Sequence, residues 1–174
     1  EVTIEVHLSP GLPAFNIVGL PEKAVKESRD RVRSALMNND FDMPSKRITV
    51  NLAPADLPKQ GGRYDLPIAI GLLVAAGVVS QESVEQYELI GELGLLGEIR
   101  ACSGVLPIAL ACQQARRQLV LPEGNATEAG LVKNSRLIPA KDLLSIVSHL
   151  KSLSVISPYQ VKETHLTSYE PCDY

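Results

Sequence analysis

The sequence predicts an α+β fold, a mixed β-sheet with helices packed on it. Three observations carry that reading. Val2, Ile4 and Val6 alternate with Thr3, Glu5 and His7, the period-two pattern of a half-buried strand. The second half alternates helical and strand-like stretches. Apolar runs stay short. The longest, Leu66 to Val79, suits a buried helix and falls below the about 20 residues that a bilayer span needs.

Ser9-Pro-Gly11 is a turn and Ala14–Val18 a second strand, so the two strands are expected to form a hairpin. Pro21 opens a helix to about Asn38, because a first-turn proline lacks only an N–H that would be unpaired anyway. Val25, Val32, Ala35 and Leu36 form its apolar stripe. Lys26, Arg29 and Arg33 line the other side, with Lys26–Asp30 and Glu27–Arg31 as i,i+4 pairs. Residues 46–52 read as a third strand facing inward through Ile48 and Val50. Asp65 reads as the N-cap of a helix over 66–78. Ser80 caps a short helix, with Ser83 at its N3 position. Gly91, Gly94 and Gly97 punctuate strands at 89–96 and 98–101 as hairpin turns or bulges do. A helix over 104–116, a strand over 118–121, a helix over 125–133 and a strand over 136–138 follow. An amphipathic helix over 141–150 comes last, and from Ser152 the pattern becomes that of a linker or tail.

At 174 residues the chain fits one domain with a substantial core. Aromatics are 4% and Trp is absent, so that core must be aliphatic. The net charge of −3 gives no global pull toward nucleic acid, and any basic patch has to be local. Cys102, Cys112 and Cys172 are odd in number and form no C-x-x-C, which argues against a disulfide framework or zinc site and for reduced thiols in the cytoplasm. The chain begins strand-like at Glu1 without an initiator Met, as a piece of a longer protein would.

The loop over 57–65 runs straight into the apolar helix, a place where phosphate cradles and nucleophiles are found. Gly61 and Gly62 are followed by Arg63 and Tyr64, without the Gly-Lys-Ser/Thr of a P-loop. Glu88, Glu92, Glu98, Asp56 and Asp65 show no spacing that forces two of them into one site, and read as solvated or capping residues. His7, His149 and His165 are scattered, so no metal site is expected, and His149 suits a helix C-terminal dipole. The stripe Lys26, Arg29, Arg33 is interleaved with acids and reads first as a solvated face. Lys59 and Arg63, in the glycine-rich loop, are the better candidates for an anion or a partner, with Asp65 beside them.

Four blocks carry a family resemblance. They are Asn16-Ile-Val-Gly-Leu-Pro-Glu22, Glu27-Ser-Arg-Asp-Arg-Val-Arg33, Ile48-Thr-Val-Asn-Leu-Ala-Pro-Ala-Asp56 and Gly62-Arg-Tyr-Asp-Leu-Pro-Ile-Ala69. The chain resembles the N-terminal domain of the ComM/YifB family of magnesium-chelatase-like AAA+ ATPases. That domain is similar to the proteolytic domain of Lon and the Lon-like domain of RadA. The resemblance implies a Lon-like domain over 1–151, lacking its first residues. Residues 152–174 would lead to an AAA+ module outside this chain. Pro58-Lys-Gln-Gly-Gly-Arg-Tyr-Asp65 is similar to Lon's serine motif, with Tyr64 or a neighbour at the serine position. Ile108 stands near the position of its lysine partner. A phenol and an aliphatic chain supply neither nucleophile nor amine, so no catalytic residue is carried over. The resemblance implies a non-catalytic domain without cofactor of its own, serving a cytoplasmic, hexameric ATPase that uses ATP and Mg²⁺ in DNA branch migration during natural transformation. Assembly or DNA contact through Lys59, Arg63 and the basic helix would be its role, with no membrane contact. The alternatives are a residual Ser/Lys-type peptidase and a subunit of a magnesium-chelatase-like complex.

Overall fold

In a computed structural model, which describes residues 1–161, the amino-terminal strands do not pair with each other. β1 (Thr3–Ser9) and β2 (Ala14–Val18) flank β3 (Arg47–Ala53), giving the order β1-β3-β2. β3 runs antiparallel to β1, with Thr3 opposite Ala53, and parallel to β2, with Ala14 opposite Arg47. The expected hairpin is therefore corrected. Pro10 and Pro13 bracket the turn and donate no backbone hydrogen bond. The strand with the best-buried inward row, Ile48, Val50 and Leu52, takes the centre, where both edges are paired.

The expected single helix is two, α1 (Lys23–Lys26) and α2 (Ser28–Asn38), joined at Glu27. Val25, Val32, Ala35 and Leu36 are buried as the stripe requires, while Lys26, Arg29 and Arg33 are exposed. Glu27 lies 3.7 Å from Arg31, and Lys26–Asp30 forms no ion pair within 4.0 Å among the described residues. α3 (Asp65–Ala75) is buried along most of its length and stops before Gly77, at φ +78°. A Cβ on Gly71 would come within 2.8 Å of Val6, so this glycine lets α3 lie close on β1. α4 (Gln81–Val84) is capped by Ser80, whose hydroxyl accepts from the Ser83 N–H at 3.3 Å.

The expected single mixed sheet is divided. β4 (Tyr87–Leu89), β7 (Gln118–Pro122) and β8 (Arg136–Ala140) form a parallel sheet in the order β4-β7-β8. β5 (Glu92–Leu93) and β6 (Ile99–Arg100) form an antiparallel ribbon closed over Gly94 and Gly97, as the glycine spacing suggested. α5 (Val105–Gln114), a 3-10 turn at Glu123–Asn125, α6 (Ala126–Ala129) and α7 (Leu143–Leu150) complete the fold. The helix expected over 125–133 is thus a 3-10 turn and one α turn. β7 shows why the second sheet is parallel and covered on both faces. Leu119 and Leu121 pack with Val105 and Ala109 of α5, whereas Val120 joins the main core with α3 and α7. Part of the expected linker is fastened down. The Ile156 N–H donates to His149 Nδ1 at 2.9 Å and the Tyr159 N–H to the Leu137 carbonyl at 2.9 Å. The expected tail from 162 onward lies outside the described residues.

Candidate functional site

The loop between β3 and α3 is bolted shut by Lys59. Its backbone N–H donates to the Leu20 carbonyl and its carbonyl accepts from the Glu22 N–H at 3.1 Å. Its ammonium donates to the Gly19 carbonyl at 2.6 Å and to the Pro54 carbonyl. Lys59 is 0% exposed, so its donors serve the fold rather than a ligand. Gly19 belongs to the same lock: at φ +106°, a Cβ there would come within 2.1 Å of the Leu52 carbonyl oxygen.

Asp65 begins α3 from inside and makes no cap hydrogen bond, which corrects its reading as an N-cap. Its carboxylate accepts from Ser28 Oγ, from Arg31 Nε at 2.6 Å and Nη2 at 3.1 Å, and from the Leu93 N–H at 3.1 Å. It is 0% exposed. One carboxylate thus ties α2, α3 and β5 together, and its hydrogen bond holds the Arg31 guanidinium above its ordinary pKa. Ser28 and Arg31 were not singled out as site residues, although their i,i+3 spacing on one helical turn was visible.

The two positions compared with the Lon dyad come together. Tyr64 and Ile108 line one cavity of about 800 Å³ with Arg63, between β1, α3, β4 and α5. Burial pushes the Tyr64 phenol up, against the opposing pull of Arg63, so it is further from a phenolate than a free tyrosine. The lining contains no serine and no lysine; its one aliphatic hydroxyl is that of Thr3. Glu88 is paired with Arg117 at 2.7 Å, and burial together with Glu88 pushes the Cys112 thiol up to about 11. Such a lining binds apolar and hydrogen-bonding matter more readily than it activates a nucleophile.

Next to this cavity the loop meets the ribbon. The Arg63 carbonyl accepts from the Gly91 N–H at 3.0 Å, and a Cβ on Gly62 would come within 2.6 Å of Glu92 Oε2. Asn125 clamps the Cys102 peptide from both sides, accepting from its N–H at 2.8 Å and donating to its carbonyl at 2.9 Å. Burial pushes the Cys102 thiol up, opposed by a backbone hydrogen bond at Glu92 and by Arg63, so it is a protonated thiol rather than a nucleophile. Among the described residues, no group of three His, Cys, Asp or Glu could hold a metal ion. The basic helix lies elsewhere. Lys26 and Arg29 line a separate cleft with Arg47, and Arg33 does not line it.

A family model described as subunit ChlI of Mg-chelatase matches residues 4–125. Competence protein ComM of Haemophilus influenzae is 56% identical over 149 residues, covering 86% of this chain and 29% of its own length. The uncharacterized proteins YifB of Salmonella typhimurium and Escherichia coli are 48% and 46% identical over 150 residues, covering 86% of this chain and 30% of theirs. The chain therefore spans under a third of the length of these relatives.

Proposed function

Because the chain belongs to the Mg-chelatase-like ComM/YifB family, we propose that it is a non-catalytic, Lon-protease-like domain serving a hexameric AAA+ ATPase in DNA branch migration. The observation that supports this reading is the cavity lined by both Tyr64 and Ile108, the two positions compared with the Lon dyad, whose lining offers no serine and no lysine. The Haemophilus relative is named a competence protein, which supports a role in natural transformation. On this reading ATP and Mg²⁺ belong to a module outside these residues, and the whole assembly works in the cytoplasm. Among the described residues no helix is long and apolar enough to cross a membrane.

A residual Ser/Lys-type peptidase would need a hydroxyl beside an amine in that cavity, where the lining offers Thr3 and no lysine. Insertion of magnesium into a porphyrin would need metal-binding side chains that the described residues do not gather. The deciding comparison is between the full-length protein and a form lacking residues 1–151. The shortened form should lose stable hexamers or strand-exchange activity while its ATP-binding module still folds. Normal hexamers and normal branch migration would end the proposal. Cleavage of unfolded casein by the intact protein would overturn the non-catalytic assignment.

A further inference from the structure

The cleft on the solvent face of the first sheet gathers three cations and no carboxylate. Arg47 and Thr49 alternate with buried Ile48 and Val50 along β3, so both point away from the core. Asn16 of β2 is the register partner of Thr49. Lys26 ends α1, and Arg29 lies in the first turn of α2. These five residues, from four elements, line one cleft of about 540 Å³, and no carboxylate lines it.

The cations in it are not neutralised from within. Among the described residues, Lys26, Arg29 and Arg47 form no ion pair within 4.0 Å, whereas Arg31, Arg100 and Arg117 each have a carboxylate partner. The nearby acids are engaged or turned elsewhere. Glu27 lies against Arg31, and Glu5, on the same sheet face, accepts from Asn51 Nδ2 at 2.9 Å. Glu22 and Asp30 are exposed and do not line the cleft. Three like charges gathered beside neutral donors repel one another unless an anion sits among them.

We propose that this cleft binds the phosphodiester backbone of nucleic acid. Two guanidinium forks and an ammonium suit phosphate oxygens, and the Asn16 amide and Thr49 hydroxyl add neutral donors. The lining has no aromatic ring to stack a base and no glycine-rich phosphate cradle, so it lacks the parts that would hold a nucleoside. Besides the aliphatic Ile17 and Val18, the lining offers charge and hydrogen bonding along an open sheet face, which is how a backbone is gripped independently of base sequence. This places the DNA contact at Lys26, Arg29 and Arg47 instead of at the loop lysine. It rests on the DNA-contact branch of the proposed function.

The test uses the full-length protein and a fluorescent DNA duplex, with affinity read by anisotropy across a salt series. In the triple variant Lys26→Ala/Arg29→Ala/Arg47→Ala, the slope of log affinity against log salt should become shallower by about two to three, as each lost phosphate contact removes about 0.9. Arg29→Lys/Arg47→Lys should keep the steep slope. A charge-matched control, Lys133→Ala/Arg136→Ala/Lys151→Ala, should bind as the parent does. Circular dichroism and sedimentation show whether each variant folds and assembles. The inference is overturned if the triple variant keeps the parent's slope, or if the control loses as much. It is also overturned if millimolar inorganic phosphate displaces the DNA at constant ionic strength, which would mark a free-phosphate site. If the parent binds no DNA, the inference and the DNA branch fall together, while sedimentation still judges the assembly branch.

Discussion

Lys59 shows how local sequence and folded position can part. In a polar loop rich in proline and glycine it reads as an exposed cation, yet its ammonium ends on the Gly19 and Pro54 carbonyls without solvent contact. Nothing within five residues of it on the amino side reveals the partner segment at 19–22, which becomes a neighbour only through the pairing of β2 with β3. Replacing Lys59 with Met keeps the apolar stem and leaves two buried carbonyls without a donor, at a cost of about 1–3 kcal/mol in urea denaturation. Asp65→Asn should cost more, about 3–5 kcal/mol, because Arg31 would then lack its buried countercharge. A denaturation curve for either variant that overlays the parent's would refute these roles. Lys59→Ala is therefore a folding variant, and a poor control for ligand binding.

Within elements, patterns were legible where burial is periodic and obscure where partners are remote. The alternation along β1 and β3, the stripe of α2 and the Ser80 cap all follow from spacing of residues a few positions apart. The pairing of those strands does not, because parallel pairing of β2 with β3 depends on a crossover through two helices. His149 illustrates the same limit. It sits near the end of α7, but serves as a neutral acceptor rather than as a charge on the dipole. Nδ1 accepts from the Ile156 N–H at 2.9 Å, which leaves Nε2–H to donate to the Tyr87 hydroxyl at 2.9 Å. Burial lowers its pKa, so the folded state binds this proton less readily than the unfolded chain does. Its stabilising contribution is complete above the ordinary histidine value of about 6.5, and falls as pH drops from there toward the lower folded value. The Ile156 amide should then exchange faster, relative to its intrinsic rate, at acid pH than at neutral pH. His149→Gln should flatten that dependence; protection at Ile156 that ignores pH in the parent protein would contradict it.

Across the whole molecule, the two apolar clusters meet at one strand of the second sheet. β7 sends Leu119 and Leu121 to one cluster and Val120 to the other, so neither cluster can loosen without disturbing the strand common to both. Leu121→Ala should destabilise the protein by about 2–5 kcal/mol, with probes on either sheet reporting one shared transition. Two separated transitions would show that the sheets unfold independently. The α+β class was legible from composition and periodicity, and the division into two three-stranded sheets and a two-stranded ribbon was not. The two-residue strands β5 and β6 fall below the length at which alternation can be recognised.

The order β1-β3-β2 also sets a timetable. Within the described residues β1 comes first, then β2, then α1 and α2, and neither strand meets a sheet partner among them until residues 47–53 follow. During that interval Ile4, Val6, Phe15 and Ile17 are apolar strand residues without a sheet, the kind of exposure that invites association between nascent chains. Completion of β3 closes the interval in one step, pairing both waiting strands along its two edges.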